Sequence, residues 1–201
     1  MLNLRNMNTI INDSLAKSVS YKGYRKMVSD LLLAGKSTGP NQSVELLNYS
    51  TLNDARMNRL DKKTILTDST IETLKNTKAT QTWLFITESW CGDAAQIAPV
   101  IHKMSLENTN VALKVVLRDE NEALMNQFLT NGSKSIPKLV VLDQNNEVIS
   151  SWGPRPSIAT KMVNDYKEKH GGLDADFKKE LQVWYNKNKG ENIQEDVVAF
   201  L

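Results

Sequence analysis

The chain has 201 residues, 40% of them hydrophobic and 24% charged, and its formal net charge is +2. This is ordinary globular composition, and a charge so close to balance, without a Lys/Arg block interleaved with aromatic residues, argues against a nucleic-acid-binding surface. The one cysteine, Cys91, excludes an intrachain disulfide framework and a cysteine-rich metal site, so we predict neither a metal nor a cofactor.

The N-terminal stretch MLNLRNMNTIINDSLAKSV lacks the continuous apolar run of a secretion signal. Elsewhere no apolar run approaches the roughly eighteen residues that a membrane span needs. We therefore expect a cytoplasmic protein with no membrane partner. A single cysteine also fits a reducing compartment.

The first third of the sequence has helical periodicity. Apolar residues at intervals of three and four predict one helix over residues 13–35, ended by Gly35, and a second from about Ser43 to Asp61. We assign residues 1–63 to a helical extension, and we expect it to pack on the rest of the chain.

Strands and helices alternate after residue 64. The predicted elements are a short strand at 64–66, a helix from Asp68, a central strand at 82–87, a helix at 91–107 kinked by Pro99, a strand at 111–117, a helix from Glu120 to Leu129, a hairpin of strands 139–143 and 147–152, and a helix from Pro156 to about Lys169. A β-α-β order requires a parallel pair with a right-handed crossover, and the hairpin adds an antiparallel edge. The pattern predicts an α/β domain over 64–170, with a mixed sheet of four or five strands flanked by helices.

The last predicted segment comprises residues 171–201. An amphipathic helix is expected from about Asp174 to Asn188, and the tail after Gly190 is expected to be loose.

The stretch ESWCGDAAQ (88–96) places Cys91 where the central strand ends and a helix begins. Backbone N–H groups and the helix dipole favour a thiolate at that position, whereas the carboxylate of Asp93 disfavours it. We expect a modestly lowered pKa and a reactive thiol. The alternative is that Cys91 is a small hydrophobic residue in a fold that has lost its chemistry.

Four sequence features occur in the order of a known family. They are Trp90–Cys91–Gly92 after the central strand, Pro99 eight residues beyond the cysteine, Ile136–Pro137 before the hairpin, and Gly153 after it. With these, residues 64 to about 170 resemble the thioredoxin superfamily. More narrowly, the chain resembles a group of bacterial single-cysteine thioredoxin-like proteins with a helical N-terminal extension and a WCGDAAQ motif.

The resemblance implies a thioredoxin fold with Cys91 as the catalytic thiol and a cis peptide bond before Pro137, facing that thiol. It also implies a substrate groove beside the sulfur. The residues that we predict to line this groove are Trp90, Gly92, Asp93, Ile136, Pro137, Trp152 and Gly153. Arg155 should lie at the same end of the sheet, and for Trp152, Gly153 and Arg155 a rigid turn with a packing tryptophan is an equally good interpretation.

Two residues depart from the family pattern. Ala94 stands where the second cysteine of a C-x-x-C motif belongs, and Phe85 where many thioredoxins carry a buried acid. A mixed disulfide at Cys91 therefore needs an external thiol to resolve it. The first hypothesis is a monothiol redox protein whose partner is a protein or a low-molecular-weight thiol or disulfide. The second is a non-catalytic binding module with the same groove. No oligomeric state is predicted.

Other motifs give weaker indications of function. AGKSTG (34–39) resembles a phosphate loop but has Asp30 at the position of its first glycine. His102 and His170 lack the partners that a zinc site requires. Arg56 and Arg59 are expected to pair with nearby aspartates, Asp54 and Asp61, instead of reaching the groove.

Overall fold

The computed structural model describes the backbone of residues 4–201 and the side chains from residue 7 onward. Within that range nine helices and four strands form. The elements are α1 (Leu4–Lys17), α2 (Tyr21–Leu33), α3 (Val44–Lys63), α4 (Asp68–Asn76), β1 (Gln81–Thr87), α5 (Gly92–Ser105), β2 (Val111–Leu117), α6 (Glu122–Met125), β3 (Lys138–Leu142), β4 (Val148–Trp152), α7 (Ser157–His170), α8 (Ala175–Asn188) and α9 (Glu191–Val198). No helix in this part of the chain is long and apolar enough to cross a bilayer.

The described strands form one mixed sheet in the order β2-β1-β3-β4. β1 runs parallel to β2 and antiparallel to β3, and β3 pairs with β4 in an antiparallel hairpin. Phe85 marks the centre, since it stands opposite Val115 on one side and Leu139 on the other. The α/β fold with a mixed sheet between helices is thus confirmed, with four strands.

Alternate residues of the two central strands feed two separate apolar layers, as the two-residue period of a strand requires. On β1, Trp83 and Phe85 join the larger layer, which contains α5 and the C-terminal helices. Leu84 and Ile86 join the smaller layer with residues of α1 and α6, and Cys91 belongs to this second layer. The thiol therefore lies on the face that the first helix covers.

The N-terminal helix prediction was wrong in one respect: two helices replace one. They are separated at Ser18–Ser20, where the Ser20 side chain caps α2 by accepting from the Gly23 N–H at 3.1 Å. Between them Val19 exchanges two backbone hydrogen bonds with Val115 of β2, at 2.9 and 2.8 Å. This single bridge occupies the free edge of β2, where a fifth strand would add.

Three further element predictions were wrong. Residues 64–66 form no strand, and the helix expected from Glu120 to Leu129 contracts to α6. The tail after Gly190 is helix α9, not loose, because Ile193 and Val197 are buried against the larger layer. Gly190 has φ +83°, and a Cβ there would lie 2.8 Å from Val100, so the turn into α9 fits closely against α5.

Candidate functional site

Cys91 is the N-cap residue of α5. Its Sγ accepts a hydrogen bond from the Ala94 N–H at 3.5 Å, as N-cap side chains do. The thiol also donates to the carbonyl oxygen of Ile136 at 3.4 Å. The Ile136–Pro137 peptide bond is cis. The fold thus brings the thiol against a loop 45 residues further along the chain.

The Cys91 side chain is buried, with 9% of its surface exposed. Burial, and after it the negative charge of Asp93, raises the pKa of the thiol to about 12, while the N–H groups of Ala94 and Asp93 and the charge of Arg155 oppose this to a smaller extent. The expectation of a lowered pKa is wrong, because the helix N-terminus does not compensate for lost hydration. At neutral pH the thiol is protonated.

Asp93 is a buried carboxylate tied down by the C-terminal half of the chain. Its Oδ2 pairs with Nη2 of Arg155 at 2.8 Å, and its Oδ1 accepts from the hydroxyl of Tyr185 at 2.9 Å. Burial raises the pKa of Asp93, and Arg155 followed by Tyr185 counteracts that rise. The carboxylate is therefore stabilised by Arg155 in the loop before α7, by the Tyr185 hydroxyl on α8 and, to a smaller extent, by the charge of Arg56.

The residues just before Cys91 are held by the N-terminal segment. The Thr38 hydroxyl donates to the Glu88 carboxylate and accepts from the Ser89 N–H at 2.8 Å. From α3, Asn53 donates to the Ser89 carbonyl at 2.9 Å, and the Ser50 hydroxyl lies 2.7 Å from that of Ser89. Burial raises the pKa of Glu88, whose bonds to Thr38 and to a backbone N–H oppose the rise.

Arg56 reaches the start of α5. Its Nη1 lies 3.8 Å from the position that a Cβ on Gly92 would take, and it donates to Asn53 at 2.8 Å. The expected pairing of Arg56 and Arg59 with aspartates is wrong. Both aspartates bind another cation from α2, since Arg25 lies 2.9 Å from Asp54 and 3.3 Å from Asp61.

The predicted groove residues fall into two groups. Trp90 lies in the same apolar layer as Cys91, with the guanidinium of Arg118 over its ring at 4.7 Å. Gly153 lies against Pro137: with φ +114° and a would-be Cβ only 2.4 Å from the Pro137 oxygen, the position excludes any side chain. Trp152 instead joins the opposite apolar layer.

Trp152 also donates its indole N–H to Asp196 of α9 at 3.3 Å. Of the two interpretations given for this residue, the packing tryptophan describes its position. His102 likewise packs, stacking on Tyr21 with ring centroids 4.2 Å apart. Among the residues that the structure describes, no group of three His, Cys, Asp or Glu side chains is arranged to hold a metal ion.

The sequence matches a family model described as thioredoxin over residues 39–167. The chain belongs to the thioredoxin family. The match starts inside the N-terminal segment, at the residue after Thr38, and ends in α7. No curated protein matches the sequence.

Two solved structures share the fold of this thioredoxin-family protein. One is a protein of unknown function from Pseudomonas aeruginosa, 18% identical, with a TM-score of 0.57 over 90% of this chain and 96% of that one. The other is an HIV epitope scaffold, 17% identical, with a TM-score of 0.56 over 90% of this chain and 97% of that one. At such identity they support the fold alone.

Sequence reasoning missed the residues that bind residues 88–93, the cysteine turn, from both sides. Thr38, Ser50 and Asn53 lie in the N-terminal segment, and Tyr185 lies in α8. One signal was present: Ser50 and Asn53 are spaced like the core residues of α3, with Met57 one turn further on. Polar residues on the buried face of a helix need buried partners, and Ser89 supplies them.

Proposed function

We propose that this thioredoxin-family chain is a monothiol redox protein in which Cys91 forms a mixed disulfide that an external thiol resolves. The observation that carries the proposal is the placement of the only thiol at the N-cap of α5, 3.4 Å from the carbonyl of Ile136. Partner contacts would come from Trp90, Gly92, Asp93, Ile136, Pro137 and Gly153.

The chemistry requires two exchanges. Cys91 loses its proton to solvent, and its thiolate attacks a disulfide R–S–S–R′, forming the bond Cys91–S–S–R while R′–S⁻ leaves and takes up a proton. An external thiol then attacks the mixed disulfide, forms a disulfide with R, and returns Cys91 to its reduced state. In sum one disulfide is exchanged for another: the sulfur of the external thiol is oxidised to the disulfide level while the R′ sulfur is reduced to a thiol. Such thiols are abundant in the cytoplasm, the compartment that we propose.

The resting thiol is buried and has a pKa of about 12, so reaction requires that Cys91 become exposed. Exposure removes the largest cause of the raised pKa and leaves the N–H groups of the first helical turn to stabilise the thiolate. We therefore expect Cys91 to react slowly with disulfides in the resting state, and faster when a partner displaces the residues that bury the thiol.

The test is adduct formation with glutathione disulfide, followed by intact mass spectrometry on the folded protein. The negative control is Cys91→Ser, which has no thiol and should form no adduct. The proposal expects a single adduct that forms faster than global unfolding allows and that an added thiol removes. An adduct rate no greater than the unfolding rate, measured separately in urea, would exclude a redox role for the folded state.

A second function, a non-catalytic binding module, is favoured by the burial of the thiol and its raised pKa. This module would hold a peptide or protein in the same groove without covalent chemistry. Capture experiments under reducing conditions compare the parent with Cys91→Ser. Equal retention of the same partners supports the module, and capture that needs the thiol excludes it.

A further inference from the structure

A cavity of about 630 Å³ is lined by neither Cys91 nor Pro137, although its wall includes Tyr185, whose hydroxyl donates to Asp93. Its walls come from the last turn of α3, the segment 64–67, the first residue of α4, and the junction of α8 with α9. A volume of this size lies within the range of small-molecule sites. Nothing in the proposed chemistry of Cys91 uses it.

Three cations line the cavity: Arg59, Lys63 and Lys189. Arg59 and Lys63 are four residues apart on α3 and so share one face of that helix. In the described part of the chain none of the three forms an ion pair, and Arg59 donates only to the neutral side chain of Asn186, at 2.6 Å. Among the described residues, therefore, no carboxylate lies within ion-pair distance of these three cations.

Two acids also line the cavity, Asp68 and Glu191. Each occupies the first turn of its helix, α4 or α9, where the positive end of the helix dipole stabilises a carboxylate. The two acids are therefore stabilised by helix N-termini, and Lys63, in the last turn of α3, and Lys189, the C-cap residue of α8, are stabilised in the same way by helix C-termini. The wall carries one more positive charge than negative.

The remaining wall provides both an apolar surface and an unpaired polar group. Ile65 is 80% exposed, although it lies between two buried residues, Thr64 and Leu66. Thr64 is 5% exposed, and its hydroxyl has no hydrogen-bond partner among the described residues. Buried hydroxyls are normally paired, so this one marks a place where a partner is missing.

We propose that this cavity binds a free small anion that carries an apolar body. Its carboxylate, phosphate or sulfonate group lies against Arg59, Lys63 and Lys189, and its apolar part lies against Ile65 and Leu60. The Thr64 hydroxyl supplies a further donor in the wall. The site is independent of thiol chemistry and stands whether or not Cys91 reacts.

The test uses 8-anilinonaphthalene-1-sulfonate, an aromatic sulfonate that fluoresces when its apolar part leaves water. The parent should bind one equivalent saturably. The double variant Arg59→Gln/Lys63→Gln should lose affinity by about tenfold or more, since hydrogen bonds to charged groups contribute that much. Ile65→Asp, which removes apolar wall and adds a negative charge at an exposed position, should lose it as well.

Two controls sharpen the test. Lys62→Gln removes a neighbouring exposed cation that does not line the cavity, and it should bind like the parent. The uncharged analogue N-phenyl-1-naphthylamine should bind the parent more weakly than the sulfonate does.

Four results would overturn the proposal. They are the absence of saturable binding, equal binding by the parent and the double variant, equal affinity for the uncharged analogue, and co-sedimentation with vesicles of anionic lipid that depends on Arg59 and Lys63. The last would assign these cations to a membrane surface instead of a free ligand.

Discussion

The cysteine turn is held from two sides by different kinds of contact. The N-terminal flank, defined as Thr38, Ser50 and Asn53, binds residues before Cys91 through neutral hydroxyl and amide groups. The C-terminal flank, defined as Arg155, Gln182 and Tyr185, binds residues after it. Its main target is the buried carboxylate of Asp93, the second cause of the raised Cys91 pKa.

The two flanks control different properties of Cys91: the N-terminal flank its position, and the C-terminal flank its pKa. The N-terminal flank fixes the backbone that leads into α5, because it pairs both the N–H and the carbonyl of Ser89. The C-terminal flank controls a charge that acts directly on the sulfur. Changes on the first side should therefore alter stability, and changes on the second should also alter the thiol.

The largest effect should come from Thr38→Val, which keeps the shape of a side chain only 1% exposed but removes its hydroxyl. Glu88 loses a donor and the Ser89 N–H loses its acceptor, both in a buried setting. We expect the free energy of unfolding to fall by about 3 kcal/mol in urea denaturation, since stranded buried polar groups cost about 1–3 kcal/mol each.

The matched control is Thr51→Val on α3, where an exposed hydroxyl bonds its own helix at Leu47. It should change the free energy of unfolding by less than about 0.5 kcal/mol. Equal losses in the two variants would mean that the N-terminal flank does not hold the turn.

A smaller loss is expected for Tyr185→Phe. The ring stays buried, but Asp93 loses the hydroxyl that donates to it at 2.9 Å. Hydrogen bonds to charged groups contribute about 1.5–3 kcal/mol, so we expect a loss of about 2 kcal/mol in the same assay. Tyr49→Phe, at an exposed position of α3, is the control and should match the parent.

The sheet could be predicted from the sequence because each strand carries its own signal. The continuous apolar run of β1 and the turn residues of the hairpin are local signals. The tail was mispredicted because α9 has only eight residues, and its helicity depends on burial of Ile193 and Val197 against distant parts of the chain.

The position of the thiol could also be predicted, but its electrostatics could not. The Cys91 thiol donates to the carbonyl of Ile136, and the Ile136–Pro137 bond is cis. The pKa direction was wrong because the helix N-terminus is visible in the sequence, whereas burial by the rest of the chain is not. Likewise, nothing in the local sequence links Asp93 to Tyr185, 92 residues away.

The effect of the Asp93 charge on the Cys91 pKa is tested by Asp93→Asn, which keeps the shape of the side chain and removes its charge. With the negative charge gone and Arg155 left unpaired nearby, the Cys91 thiolate is favoured and its pKa falls from about 12. Each unit of decrease raises the thiolate fraction tenfold below the pKa, so iodoacetamide should react about tenfold faster at mildly alkaline pH.

Asp165→Asn, which removes an exposed carboxylate on α7, should react at the parent rate. Thr38→Val should also keep the parent rate as long as it remains folded, since it alters no charge next to the sulfur. A faster reaction in Thr38→Val than in Asp93→Asn would reverse the roles given to the two flanks.

The smallest expected effect is the coupling free energy between the two flanks in a double-mutant cycle. Thr38 and Tyr185 share no hydrogen-bond partner, since one binds Glu88 and Ser89 and the other binds Asp93. Substitutions without shared partners add within about 0.5 kcal/mol. The double variant Thr38→Val/Tyr185→Phe should therefore lose the sum of the two single losses. A coupling above about 1 kcal/mol in this cycle would show that the flanks act through one network across Cys91, so that position and electrostatics are not separable.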